Sequence, residues 1–152
     1  MAPRNAPAHR YYAYALWSNG YYEGAFQEFR TTLELTPGDA LVHGSYADAL
    51  AEAGHDEDAA KEYKAALHWS PKPTPYRAFL LYRLATIEIK HSQCAEGVTH
   101  LREALQIAPL MRGYHAMLAQ ALRQQGLRQE ADQEMKLEVS LRKLSLREVP
   151  TP

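Results

Sequence analysis

The sequence predicts an all-α fold built from consecutive helix hairpins. The first observation is a period, because glycines and prolines that stop apolar-periodic stretches recur 34 residues apart, from Gly20 to Gly54 and from Pro37 to Pro71. The second observation is that no stretch of useful length alternates polar and apolar residues with a period of two, so no sheet is expected. Together they predict helices that pack in pairs.

The period divides the chain into four blocks. A four-residue insert, 74–77, separates the second block from the third. We expect one domain over 6–147, with flexible ends at 1–5 and 148–152. The blocks, called repeats one to four, are 6–39, 40–73, 78–111 and 112–145.

The repeats carry the same residue types at the same positions. In the first half of each repeat a large residue precedes a small one: Tyr12-Ala13, Tyr46-Ala47, Leu84-Ala85 and Leu118-Ala119. In the second half a small residue stands four positions before a large one: Ala25 and Phe29, Ala59 and Tyr63, Gly97 and Leu101, Ala131 and Met135. Small residues let two helices approach closely, and the large residues fill the space beside them.

This pattern resembles the tetratricopeptide repeat over about 140 of the 152 residues. The resemblance implies a right-handed superhelix in which first helices line a concave side and second helices form the convex side. The sequence departs from the family pattern at several positions. Ser92 replaces a turn glycine, Lys143 replaces the closing proline, and the first aromatic residue of the motif is replaced by His9, His43, Leu81 and His115.

Local signals place the ends of the helices. Asp39 is suited to cap the third helix, and Thr74-Pro75 is a start signal for the fifth. The acidic run 56–58 suits the positive end of the fourth helix, and we expect the last helix to end before Val149-Pro150. The predicted helices span 8–19, 22–36, 40–53, 56–69, 75–91, 94–107, 112–125 and 128–146.

Composition excludes several classes of protein. Charged residues make up 23% of the chain and apolar residues 46%, which argues against a disordered tail. A net charge of −1 does not call for nucleic acid, and no apolar run is long enough for membrane insertion. The single cysteine, Cys94, and an N-terminus without the apolar segment of a signal peptide predict a cytoplasmic protein. Charge is unevenly spread, with ten carboxylates against two basic residues from Glu23 to Glu62.

Histidines are the first candidates for chemistry. His9, His43 and His115 stand at equivalent repeat positions, so we interpret them as half-buried rings between helices rather than ligands of one ion. His91, Cys94 and His100 offer at most three ligands, whereas a structural zinc site needs four. No phosphate-binding loop, dinucleotide fingerprint or nucleophile elbow is present. We expect no enzymatic activity, no metal and no cofactor.

A partner is expected on the first helices, which the resemblance places on the concave side. Tyrosine, tryptophan and arginine dominate binding energy at interfaces, so exposed ones on these helices are the best candidates. Tyr12 and Phe29 are instead expected in the core. The predicted partner-binding residues are Arg10, Tyr11, Tyr14, Trp17, Asp48, Phe79, Tyr82 and Arg83. The same repeat phase also places further first-helix residues on this side: Ser18, Leu41, Ser45, Glu52, Thr86, Lys90, Ala116, Met117, Gln120 and Gln124.

The family's known clamp for a C-terminal carboxylate is poorly matched here. Arg10 and Arg83 stand at two of its basic positions, but Tyr14 and Ser45 replace its asparagines and Phe79 another basic residue. The residues favour an extended or helical segment with apolar anchors.

A leucine stripe on the last helix, formed by Leu137, Leu141 and Leu144, is open to two interpretations. It belongs to a capping helix folded against repeat four, or it mediates self-association.

The leading functional hypothesis is a non-enzymatic adaptor, scaffold or complex subunit that binds a protein or peptide segment. The alternative is a small chaperone for secreted or assembling proteins, which only length and repeat count favour. A histidine-based or metal-dependent enzyme is the third, and metal analysis of the purified protein would test it.

Overall fold

The computed structural model describes residues 5–147, and every regular element among them is a helix. The all-α fold class is confirmed, and every helix begins and ends within two residues of the predicted position. The eight helices of the described chain are α1 (Ala6–Ser18), α2 (Tyr22–Leu35), α3 (Ala40–Glu52), α4 (Asp56–Trp69), α5 (Pro75–Lys90), α6 (Cys94–Ile107), α7 (Tyr114–Gln124) and α8 (Arg128–Arg147). The ends predicted to be flexible lie outside the described residues, except for Asn5.

Two helices begin two residues away from the predicted position. Helix α1 begins early because the Asn5 side chain accepts the Ala8 N–H at 3.1 Å and Pro7 favours the first turn. Helix α7 begins late because Gly113 takes a φ of +88°, which is incompatible with a right-handed helix. The caps predicted at Asp39 and Thr74 are present.

The turn inside each hairpin contains one residue with left-handed backbone. Gly20, Gly54 and Gly126 have φ between +77° and +86°. Ser92, which replaces the glycine in repeat three, has a φ of +63°. A side chain in this region is disfavoured, so the turn geometry of repeat three is imposed by the two helices that it joins.

The chain forms two compact units, Met1–Pro71 and Lys72–Pro152, here called unit 1 and unit 2. Unit 1 contains α1 to α4, and its core includes Phe29, Val42 and Tyr63. Unit 2 contains α5 to α8, and its core includes Leu101 and Leu118. In each unit the two helices of a hairpin pack together, and the first helix of the second hairpin packs on the second helix of the first. Each unit is therefore a pair of stacked hairpins.

Tyr12 is not a core residue, contrary to the sequence prediction. Its side chain is 43% exposed, whereas the equivalent Tyr46 and Leu118 are buried. In repeats two and four this face of the first helix is covered by the second helix of the preceding repeat, α2 or α6. Burial at this position therefore depends on a neighbouring repeat and not on the residue type.

None of the described helices combines the length and apolar character needed to cross a bilayer.

Candidate partner-binding surfaces

The predicted partner-binding residues of unit 1 lie on α1 and α3. The Tyr14 hydroxyl and Ser45 Oγ are 3.1 Å apart, and Trp17 Nε1 donates to a Glu52 oxygen at 2.7 Å. Both bonds join α1 to α3, so the polar ends of these aromatic side chains have partners within the unit. Their rings are half-buried and present edges and faces for contact.

Aromatic packing fixes the orientation of these rings. Phe29, which is fully buried, makes edge contacts with Tyr14 at 5.6 Å and with Trp17 at 6.3 Å between ring centroids. Such T-shaped pairs restrict side-chain rotation. A ligand that contacts Tyr14 or Trp17 would meet rings that are already ordered, which lowers the entropy cost of binding.

The charged members of the predicted set have partners too. Arg10 lies 3.7 Å from Asp39 and 5.4 Å from the centre of the Tyr11 ring. Tyr11 is 65% exposed, so its ring and the guanidinium form one accessible patch. Asp48 accepts a hydrogen bond from the Tyr63 hydroxyl on α4, and this bond helps to join α3 to α4.

The predicted residues of unit 2 lie on α5. Tyr82 stacks on the ring of Tyr114 with centroids 4.5 Å apart and planes nearly parallel, and burial raises the pKa of Tyr114. Phe79 stacks on Tyr76 at 6.3 Å and is 37% exposed. Arg83, which directly follows Tyr82, is half-buried.

A cavity of about 720 Å³ lies between α5, α6 and α7 in unit 2. Five of the residues that the repeat phase placed on the partner-binding side line it. Both apolar and polar side chains line the cavity. Cys94 Sγ lies 2.8 Å from the Gln124 carboxamide oxygen. The cavity is lined by Thr86, Ile89, Lys90, Ser92, Cys94, Met117, Gln120 and Gln124. Sequence reasoning missed Ile89, Ser92 and Cys94, which lie at the turn between the two helices of repeat three.

The three equivalent histidines each contact a glutamate of the same hairpin. His9, His43 and His115 place Nδ1 2.6 Å from a carboxylate oxygen of the residue 19 positions later, and that residue lies on the second helix. The interpretation as half-buried rings between helices is confirmed. Sequence reasoning missed the partners, although the recurring spacing of 19 could have found them. The partners are Glu28, Glu62 and Glu134.

Two of these rings also approach a backbone carbonyl. His43 Nε2 lies 3.0 Å from the Pro37 oxygen, and His115 Nε2 lies 3.0 Å from the Pro109 oxygen. The His43 ring lies between a carboxylate and a carbonyl, so only its imidazolium form can donate to both. The hydrogen bond to Glu62 raises the pKa of His43, burial opposes this, and the Pro37 carbonyl adds to the increase.

Repeat three also pairs a histidine with a glutamate, but here the glutamate lies on the first helix and the histidine on the second. Leu81 replaces the first-helix histidine, His100 replaces the second-helix glutamate, and Glu88 replaces the leucine found in the other repeats. His100 Nδ1 lies 2.7 Å from Glu88, a carboxylate that is almost fully buried. Among the described residues, no group of three or more histidine, cysteine or acidic side chains could hold a metal ion.

The leucine stripe of α8 is only partly buried. Leu137 is 50% exposed and Leu144 56% exposed, while Leu141 is half-buried. Helix α8 packs against α7.

Comparisons with known proteins identify the repeat. The family model of the tetratricopeptide repeat matches residues 16–80. None of the curated proteins matches the sequence significantly. Solved structures show the same fold at low identity, which supports the fold alone.

Three of these structures illustrate the range. The MamA crystal structure superposes with a TM-score of 0.88 at 16% identity, covering 96% of this chain and 83% of that chain. PilF of Pseudomonas aeruginosa gives 0.80 at 19% identity, covering 91% and 62%. YrrB, described as a TPR protein with an unusual peptide-binding site, gives 0.81 at 18% identity, covering 92% and 70%.

The family match and the recurring hairpins agree on the repeat unit. Tetratricopeptide repeats are in general a non-enzymatic fold for protein–protein interaction. Residues 16–80 match the tetratricopeptide repeat, and the described chain has the fold of tetratricopeptide-repeat proteins.

Proposed function

We propose that the chain binds a segment of another protein on the first helices of its hairpins and catalyses no reaction. The observation that carries this proposal is the cavity in unit 2, because its lining includes five residues that the repeat phase predicted to face a partner. In unit 1 the proposed contacts are Arg10, Tyr11, Tyr14, Trp17 and Asp48.

The lining of the cavity suits a peptide. Gln120 and Gln124 lie one helical turn apart on α7, and their carboxamides can donate to and accept from a peptide backbone. Ile89 and Met117 supply apolar surface, and methionine adapts to side chains of different shape. Phe79, Tyr82 and Arg83 extend the proposed contact surface along α5. An extended segment with an apolar anchor fits this chemistry best.

Selection of random displayed peptides on the wild-type protein, followed by calorimetry, tests the proposal. Met117→Arg fills the cavity with a charged side chain, and we expect the affinity of the selected peptides to fall by about tenfold or more. Thr99→Arg is the matched control, since Thr99 is exposed on α6 in the same unit and does not line the cavity. Equal affinity for both variants would contradict the proposal for unit 2.

Unit 1 is tested separately with Trp17→Ala and Tyr14→Phe. Tyr14→Phe removes only the hydroxyl that contacts Ser45, so the fold measured by circular dichroism is expected to stay helical. Weaker binding by Trp17→Ala, with Tyr14→Phe near wild type, would support binding through the rings. Unchanged binding by Trp17→Ala would remove α1 from the proposed site.

The class of partner follows from charge and cysteine content. A net charge of −1 favours protein over nucleic acid as the partner. The single cysteine fits a reducing, cytoplasmic location. A scaffold would bind its partner in the folded, assembled state. A chaperone for secreted or assembling proteins, the alternative, would instead raise the solubility of a co-expressed client.

A further inference from the structure

In each unit the second helix of the first hairpin packs against the second hairpin. In unit 1 the rings of Phe26 and Phe29 on α2 contact Tyr46 on α3, with centroids 5.7 and 5.6 Å apart. Phe26 also contacts His55, which follows α3, at 5.8 Å. In unit 2, Arg102 on α6 donates to Glu130 on α8 at 2.8 Å. The second helix of a hairpin therefore carries a docking surface, here called the seat, which the following hairpin covers.

Helix α8 carries the equivalent surface with other residues, and no hairpin follows it in the described chain. Repeat equivalence places Asp132 at the position of Phe26, Met135 at that of Phe29, and Lys136 at that of Arg102. A groove of about 480 Å³ marks the seat, and Val139 within it is 43% exposed. The groove is lined by Asp132, Met135, Lys136, Val139, Ser140 and Lys143.

Helix α1 carries the opposite surface. Tyr12 is equivalent to Tyr46, the residue that covers Phe26 and Phe29, and it is 43% exposed. Tyr21 is equivalent to His55 and is 66% exposed. Ala15, also exposed, is equivalent to Ala49, which is fully buried.

We propose that the α8 seat of one molecule receives the α1 face of a second copy, head to tail. The internal contacts then predict the new ones. Met135 packs on the Tyr12 ring, a favourable sulfur–aromatic contact, and Asp132 accepts from the hydroxyls of Tyr12 and Tyr21. Lys136 meets the beginning of α2, where Gly24 stands at the position of Glu130 and the neighbouring Glu23 is exposed.

Net charge favours the same pairing. Unit 1 carries ten acidic and five basic residues, a net charge of −5, whereas unit 2 carries eight acidic and twelve basic residues, a net charge of +4. Head-to-tail association brings an acidic unit of one copy against a basic unit of the next. Opposite charge steers such an encounter and makes it sensitive to salt.

A contact between two different surfaces has a distinctive signature. Such a heterologous interface leaves one seat and one α1 face open at the ends of every assembly, unless a ring closes. We therefore expect the weight-average mass to rise with protein concentration beyond that of a dimer. Sedimentation velocity and light scattering up to about 1 mM protein measure this directly.

Two variants and a control separate the surfaces. Tyr12→Asp places a carboxylate on the α1 face opposite Asp132 of the seat, and Val139→Asp removes apolar surface from the seat. Each variant alone is expected to stay monomeric. Mixed together they are expected to form a heterodimer, because one keeps an intact seat and the other an intact α1 face. Leu137→Asp, at an equally exposed leucine outside the groove, is expected to assemble like wild type.

Three results would overturn the proposal. The first is a wild-type protein that remains at 17.2 kDa over the whole concentration range. The second is a mixture of Tyr12→Asp and Val139→Asp that stays monomeric while wild type assembles. The third is assembly abolished by Leu137→Asp and not by Val139→Asp, which would assign self-association to the leucine stripe.

Discussion

Every repeat joins its two helices with a histidine–glutamate contact, but repeat three differs from the other three in which helix carries the histidine. In repeat two His43 on the first helix contacts Glu62 on the second, and repeats one and four do the same. In repeat three Glu88 on the first helix contacts His100 on the second. In repeat three the histidine takes the position of the glutamate, the glutamate takes the position of the leucine, and the leucine takes the position of the histidine.

The comparison shows that the hairpin requires a paired bond and not a particular residue at a particular place. A buried carboxylate or imidazole without a partner is costly, so a change at one of the three positions demands changes at the other two. This explains why repeat three departs from its relatives at all three positions together.

The largest effect is expected from Leu81→His, which copies the histidine of the other repeats into repeat three. Leu81 is almost fully buried, and His100 stands where the new ring would need a carboxylate. Loss of apolar burial and an unpaired imidazole are expected to lower the free energy of unfolding by about 3–5 kcal/mol. Urea unfolding followed by circular dichroism measures the change.

The matched control is the complete exchange, Leu81→His with Glu88→Leu and His100→Glu. This triple variant rebuilds the arrangement of repeat two and is expected to recover most of the lost stability. Leu81→Met, which nearly conserves volume, is expected to cost less than about 1.5 kcal/mol. A triple variant no more stable than Leu81→His would show that the direction of the pair is fixed by other contacts.

The second prediction concerns Glu138 in repeat four, where the equivalent positions hold Thr32, Ala66 and Ala104. Its carboxylate is buried, accepts the Gly113 N–H at 2.9 Å, and contacts Arg142 Nε at 3.0 Å. Glu138→Ala leaves the backbone donor at the beginning of α7 unpaired. We expect a loss of about 2–3 kcal/mol at pH 7 in urea unfolding, with Glu138→Gln intermediate.

The same carboxylate predicts an acid dependence. Burial opposes ionisation of Glu138, but the Gly113 N–H and Arg142 outweigh it, so its pKa is lowered from 4.5. Its contribution is therefore present above the unfolded pKa and is lost as pH falls through the lower, folded pKa. The stability difference between wild type and Glu138→Gln should shrink in acid. A difference that grows in acid would contradict the assigned bonds.

The third prediction uses the raised pKa of His43. A group whose folded pKa lies above its unfolded value of 6.5 stabilises fully below that value, and the contribution is lost as pH rises through the folded pKa. The residue faces Glu62 on α4 and Asp39 at the beginning of α3. His43→Ala is expected to cost about 2 kcal/mol near pH 6 and less near pH 9.

His68→Ala is the matched control, because His68 is exposed on the second helix of the same repeat. Its effect on stability should be small, because the side chain is exposed. Thermal unfolding at both pH values compares the two variants. An equal pH dependence for both variants would remove the role assigned to the Glu62 and Pro37 contacts.

These residues also show where sequence reasoning stops. Helix ends were predicted to within two residues because glycine, proline and capping side chains act locally. Met117, Gln120 and Gln124, which the repeat phase assigned to the partner-binding side, line the cavity, but the sequence did not predict the cavity itself. The exposure of Tyr12 was predicted wrongly because it depends on the presence of a preceding hairpin. The Trp17–Glu52 bond could not be predicted, since it depends on side-chain torsions across two helices.

The smallest effect is expected at Gly97, where the other repeats have alanine. A Cβ at this position would lie 2.8 Å from Ile89 Cγ1 and 3.3 Å from the Ala85 carbonyl oxygen. Gly97→Ala therefore gains helix propensity of about 1 kcal/mol but crowds a buried isoleucine, for a net loss of about 1 kcal/mol. Repeat two has Ala51 at the position of Ile89. In an Ile89→Ala background the substitution should become stabilising, and a loss in both backgrounds would place the constraint on the Ala85 backbone instead.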